Sequence, residues 1–218
     1  MATNFWTPVQ LSIEIAAVST ILVIILGVFL GRLMAVRKFK GKIIIDTIFL
    51  LPLVLPPTVV GFLLIIIFGR NSPVGQLLEW FFKQPIMFTW WAALIASTIV
   101  AFPLMYQSAR TGFEAVDEDI ENAARVDGAS EYHLFMFISI PLAIKTIVSG
   151  AILSFARALG EFGATLMFAG NIPGKTQTIP TAIYVALDSG NMEMAWLWVS
   201  SIIAISFLML IFVHFIRT

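Results

Sequence analysis

Five stretches of this chain are long and apolar enough to cross a lipid bilayer, and no other feature constrains its fold as strongly. They cover residues 13–30, 43–68, 91–106, 135–159 and 196–216. A helix needs about 20 mostly apolar residues to span the hydrocarbon core, where the backbone must satisfy its own hydrogen bonds. A sixth apolar piece, 162–169, is too short to cross; a helix extension, a re-entrant segment and a loop packed inside the bundle all remain open. Of the 218 residues, 59% are apolar and 12% charged, with a mean hydropathy of +0.95. Soluble domains carry about 25% charged residues, so a cytosolic enzyme, a disordered tail and a secreted disulfide scaffold are excluded. The absence of Cys removes disulfides, thiolate metal sites and a Cys nucleophile together. Thirteen basic residues balance thirteen acidic ones, leaving no global field to recruit nucleic acid. The expectation is an all-α polytopic membrane protein of about five transmembrane helices, forming one domain over 1–218.

Charge orients the spans. The connector after the first carries Arg32, Arg37, Lys38, Lys40 and Lys42, which the positive-inside rule places in the cytoplasm. The N-terminus is then outside, 70–89 outside, 107–134 inside, 160–195 outside and the C-terminus inside. Arg110, Arg125 and Arg217 join the inner set, against Arg70, Lys83 and Lys175 outside. The first 31 residues hold no Lys or Arg, unlike the basic start of a cleaved signal, so span one is expected to be retained. Trp6, Trp80, Trp90, Trp91, Trp196 and Trp198 fall near outer span ends, as an aromatic belt would.

The 107–134 connection differs in character. Between Glu114 and Glu131 it holds Asp117, Glu118, Asp119, Glu121 and Asp127 as further acids, with Arg125 as the one base. Val116, Ile120 and Ala123 or Ala124 recur at helical spacing, and Asp117 or Asp119 can cap a start. Ala123, Ala124, Gly128 and Ala129 leave one face almost bare of side chains. Two readings stand: a solvated acidic loop, or a docking helix that fits a groove on a cytoplasmic partner.

The run Asn122-Ala123-Ala124, Gly128 and Ile138-Ser139-Ile140-Pro141 resembles the EAA loop of ABC-importer permeases, in which E-A-A, three residues, Gly, nine residues and I-x-L-P follow in order. The spacing matches throughout. Asn122 stands where that pattern has Glu, with Glu121 one place early, and Ile140 replaces Leu. Leu51 to Gly61 (LPLVLPPTVVG), Phe155 to Thr165 (FARALGEFGAT) and the 170–180 segment are similar to membrane subunits of the molybdate/sulfate importer group, from about residue 10 to 190. The ARALGEFGAT portion is shared with sulfate and thiosulfate permeases; the other two look more like the molybdate branch. The resemblance implies a homodimer with the path at its interface, two cytoplasmic ATPase subunits, and an external binding protein that delivers the oxyanion. It further implies coupling to the ATPase through Glu121, Asn122, Ala123, Ala124, Arg125, Gly128 and Ala129.

Candidate pathway or gate residues are Pro56, Pro57, Thr58, Arg157, Glu161 and Thr165. Pro52, Pro56 and Pro57 free backbone carbonyls and kink a membrane helix, and irregular backbone is tolerated at membrane depth only where protein buries it or water lines it. A structural kink without ion contact is the alternative. Arg157 and Glu161 are one helical turn apart at the outer end of span four; they read either as a structural ion pair or as a cation that admits an oxyanion while Glu161 limits trapping. Lys145 can snorkel to the interface, and Asp46 and Glu14 sit near span ends without needing a function. His133 and His214 lack metal-ligand spacing, and no metal site is expected.

Gly170 to Thr176 imitates a phosphate-binding P-loop, but only three residues separate its glycines where four are required, and Ala169 holds the position that should be Gly. No cofactor is expected on this chain: ATP and magnesium belong to the partner ATPase. The leading expectation is therefore a non-enzymatic permease subunit of an ATP-driven molybdate importer, in the cytoplasmic membrane of a prokaryote. Sulfate/thiosulfate or tungstate permeases of the same group are alternatives. A secondary transporter would need internal repeats or a strong midplane ionisable site, and no clear repeat is present; a non-transporting scaffold is the third class.

Overall fold

The computed structural model describes residues 4–217, and all their regular structure is helical. The elements are α1 (Trp6–Val36), α2 (Lys42–Val54), α3 (Pro57–Phe68), α4 (Pro73–Phe82), α5 (Trp90–Glu114), α6 (Glu118–Val126), α7 (Glu131–Leu134), a π-helical turn (Phe135–Ser139), α8 (Ile140–Leu159), α9 (Gly163–Phe168), α10 (Ile179–Asp188) and α11 (Met192–Arg217). Four helical units are long and apolar enough to span a membrane: α1, α5, the continuous run Glu131–Leu159, and α11. The pair α2 and α3 makes a fifth if its two halves count as one span.

That pair corrects the expectation of a single kinked span over 43–68. The axes of α2 and α3 turn by 116°. Proline excludes helical geometry from the residue before it, so Pro56 holds Leu55 at ψ 140°, and Pro57 holds Pro56 at ψ 140°. Pro57 then opens α3 at its first position, where a missing N–H costs nothing. Two consecutive prolines thus make a corner where one would have made a kink.

The third span is longer than expected. It continues from 106 to Glu114, because Ala109, Gly112 and Phe113 keep one face of α5 buried beyond the apolar stretch. The connections 70–89 and 160–195 also hold structure that the apolar-length criterion passed over, α4 in the first and α10 in the second. Ile179, Ala182 and Ala186 bury one stripe of α10 against Val9, Ala195 and Trp198. The Ser12 hydroxyl accepts the Ile179 N–H at 2.7 Å, which ties α10 to α1. Trp198 lies in this cluster and donates from Nε1 to the Phe5 carbonyl at 3.1 Å, so it belongs to the core and not to an aromatic belt.

The centre of the bundle is α1 against α5 and α8. Close approach there requires the absence of side chains at Gly27 and Gly31. A Cβ at Gly27 would meet Met105 Cγ at 2.7 Å, and one at Gly31 would meet the Arg110 backbone nitrogen at 2.9 Å. Lipid offers no hydrophobic drive for helices to associate, so backbone proximity at a small-xxx-small seam supplies the packing.

Candidate functional site

The first candidate site is α6 and its surroundings. Asp117 caps the helix by accepting the Asp119 N–H at 2.9 Å, and Glu118, Asp119 and Glu121 occupy the first turn, where the helix dipole favours negative charge. At the other end the Ala129 N–H reaches the Ala124 carbonyl at 3.0 Å, and the Gly128 N–H reaches Arg125 at 3.1 Å. These bonds form a Schellman motif with Gly128 at the left-handed position, φ +90°. Asn122, Ala123, Arg125, Val126, Asp127 and Gly128 are exposed, Val126 at 87%, while Ala124 and Ala129 are half-buried. Ala124, Gly128, Ala129, Ser130, His133 and Ile138 line a shallow cleft of about 510 Å³.

Glu121 faces the other way. It is the one buried residue of α6, at 6% exposure. Arg32 grips its carboxylate with two nitrogens at 2.8 and 3.0 Å, and the Ser139 hydroxyl donates to it at 2.8 Å. Arg125 approaches at 3.6 Å and spends its stronger contacts on Glu131 at 2.8 Å and Asn122 at 3.1 Å. Burial is the largest single influence on the Glu121 carboxyl and pushes its pKa up, but Arg32, Ser139 and Arg125 together hold it below the ordinary value.

The second candidate site joins the α2/α3 corner to α9. Glu161 lies just beyond α8, its side chain 1% exposed, and accepts from Arg157 at 2.9 Å. Its other oxygen accepts the Ala164 N–H at 2.9 Å, so the same carboxylate anchors the start of α9. The 162–169 piece is a separate short helix beyond Gly160, packed inward on α3 and α5, and not an extension of α8. Pro57 packs against Gly163, where a Cβ would come within 2.8 Å. Pro56, Pro57 and Thr58 are exposed on the surface of the chain. Thr165 is buried, and its hydroxyl lacks a hydrogen-bond partner. The fold therefore brings the corner beside the 161–165 segment, while the α6 residues belong to a different cluster.

Two polar ties escaped the sequence reading. Arg32 counted there only as part of a basic cluster, and Ser139 only as a motif position. Asp46, set aside as a span-end acid, pairs with Arg110 at 2.7 Å and accepts a hydrogen bond from the Tyr106 hydroxyl. The i,i+4 spacing of Tyr106 and Arg110 on one helix face was the available signal. In the 170–180 segment the N–H groups of Lys175, Thr176 and Gln177 all converge on the Ile172 carbonyl, so this is a closed turn whose amides are not free to cradle phosphate.

Residues 16–217 match the model of the binding-protein-dependent transport system inner membrane component family. The chain is 64% identical over 213 residues to YvgM of Bacillus subtilis (strain 168), whose name assigns it to a molybdenum transport system as permease; the match covers 98% of this chain and 94% of that protein. It is 40% identical over 188 residues to the molybdenum transport system permease protein ModB of Escherichia coli (strain K12), covering 86% and 82%. Its fold is similar to a membrane chain of the MetNI methionine ABC transporter in an inward-facing conformation, with a TM-score of 0.73 at 15% identity over 97% of this chain and 95% of that one. With its long apolar helices, the match of nearly the whole chain to this family model and its identity to these two relatives, the chain is a multi-pass membrane protein of the binding-protein-dependent transport system inner membrane component family.

Proposed function

We propose that this chain is the permease subunit of an ATP-driven importer that carries molybdate across the cytoplasmic membrane of a prokaryote. The observation that carries the reading is 64% identity, along nearly the whole of both chains, to a protein named for molybdenum transport. Two copies form a dimer with the path between them, an external binding protein delivers the oxyanion, and a cytoplasmic ATPase subunit seats on each α6. The ATPases supply ATP and magnesium chemistry; this chain supplies the conduit and the docking surface. Exposed Asn122, Ala123 and Gly128, with half-buried Ala124 and Ala129, present little side-chain bulk to that partner, which favours close seating. ATP-driven closure of the ATPase pair moves both α6 helices and turns the bundles outward.

The α2/α3 corner and the Arg157–Glu161 pair form the outer part of the path. Glu161 neutralises much of the Arg157 charge, so an oxyanion is attracted weakly and released, as a conduit requires. The N-terminus is outside, and Arg32 to Lys42 and α6 are in the cytoplasm. The test is uptake of labelled molybdate in a permease-deletion strain, with and without this chain, in competition with sulfate and tungstate. Restored uptake that excess sulfate leaves intact is expected. No restoration refutes the reading, and sulfate-dominated uptake transfers it to the sulfate branch.

A further inference from the structure

We propose that Glu121 is a positioning residue that carries the movement of α6 into the membrane bundle, and that it makes no contact with the ATPase. The inference rests on the transport reading above and deepens it at the same site. Glu121 and Asn122 are adjacent on α6 but point about 100° apart around the helix, so one faces outward when the other faces in. Asn122 is exposed, whereas the Glu121 carboxylate is enclosed by Arg32 and Ser139. Its acceptor positions are occupied within the chain, leaving little for a partner to bind.

The same contacts reach α1, α5 and the foot of α8. Arg32 is on the last turns of α1, and its guanidinium lies over the Phe113 ring of α5, 5.6 Å from the centroid. Ser139 is fully buried in the π-helical turn at the foot of α8. π-Helical turns are local departures from the regular ladder and recur at functional sites. α6 buries no other side chain, so its buried side-chain tie to α1 and to the foot of α8 runs through this one carboxylate. A two-nitrogen grip on a carboxylate fixes direction as well as distance, which a sliding apolar contact would not. Displacing α6 therefore displaces the ends of α1 and α8, the helices that pack on α5 in the core.

The test uses the full complex, with its ATPase and binding protein, in proteoliposomes, and measures molybdate imported per ATP hydrolysed. Glu121→Gln keeps shape and can still accept from Ser139, but loses the charge pair with Arg32. It is expected to retain ATPase co-purification and hydrolysis while the imported molybdate per ATP falls about tenfold. An unchanged ratio overturns the inference, and so does loss of ATPase co-purification, which would make Glu121 a docking contact. If Glu121→Gln does not reach the membrane, Ser139→Ala carries the test: it leaves the ion pair and cuts the link to α8. Its ratio should fall roughly threefold to tenfold, and a ratio equal to wild type overturns the inference. A wild-type complex that neither hydrolyses ATP nor imports molybdate overturns the transport reading, and this inference with it, before any variant is compared.

Discussion

Gly128 is needed for its backbone: at φ +90° a side chain is strained, although nothing lies within 4 Å of where its Cβ would stand. A non-glycine residue in the left-handed region costs about 1–2 kcal/mol, and Asn tolerates it better than β-branched residues do. Gly128→Asn should accordingly keep most of the uptake, and Gly128→Val should lose most of it with the protein still in the membrane. Equal loss in both would mean that surface bareness, and not the turn, is what the position supplies. At the second site, Arg157→Met strands a carboxylate that is 1% exposed. Losing one partner of a buried pair costs about 3–5 kcal/mol, and Arg157, 32% exposed, places this case toward the lower end. Melting in detergent should show Arg157→Met less stable than Arg157→Met/Glu161→Gln; the reverse order would deny the pair its structural part. The i,i+4 spacing of Arg157 and Glu161 was readable from sequence, but the Ala164 N–H held by Glu161 was not, since it depends on the chain turning at Gly160. The direction of Glu121 was equally hidden, because an acidic helix does not announce which face meets the bundle.

Among the elements, the seam of α1 with α5 has little room to give. Gly31→Leu drives a side chain into the Arg110 backbone, and overpacking of this kind costs about 1–3 kcal/mol. A lowered melting temperature in detergent checks it, and an unshifted one would show that α1 can slide along α5. For α6 the sensitive variable is pH. The Glu121 carboxyl is held below its ordinary value in the folded protein, so its contribution is present at neutral pH and is lost as pH falls through that lowered value. Acid melting curves of wild type and Glu121→Gln should converge at low pH and separate above it; parallel curves would contradict the pairing. Long apolar helices were legible because 20-residue runs have few alternatives, and the start of α6 because Asp117 is a good cap. The corner at Leu55–Pro56 was legible as a disturbance but not as a turn of 116°, which depends on what α3 packs against. α4 and α10 are too short for the span criterion, and their stripes are visible mainly once their neighbours are known.

For the molecule as a whole, orientation is the property most open to a direct measurement. The chain has no Cys, so any introduced cysteine is unique. Val126 and Trp80 are both highly exposed and belong to different ends of the proposed topology. A membrane-impermeant maleimide should label Trp80→Cys in intact spheroplasts and Val126→Cys only in inside-out vesicles. The opposite pattern would invert the orientation drawn from the basic clusters. The α2 helix has no buried residue, and Asp46 provides its ionic tie to the bundle through Arg110, with Tyr106 beside it, 60 residues along the chain. This separation has a consequence in time. At about 5–20 residues per second, Asp46 leaves the ribosome roughly 3–12 s before Tyr106. Throughout that interval the nascent chain holds α1 and α2 with an acid at the membrane edge and no counter-charge from α5, so the arm is secured only when synthesis reaches the third span.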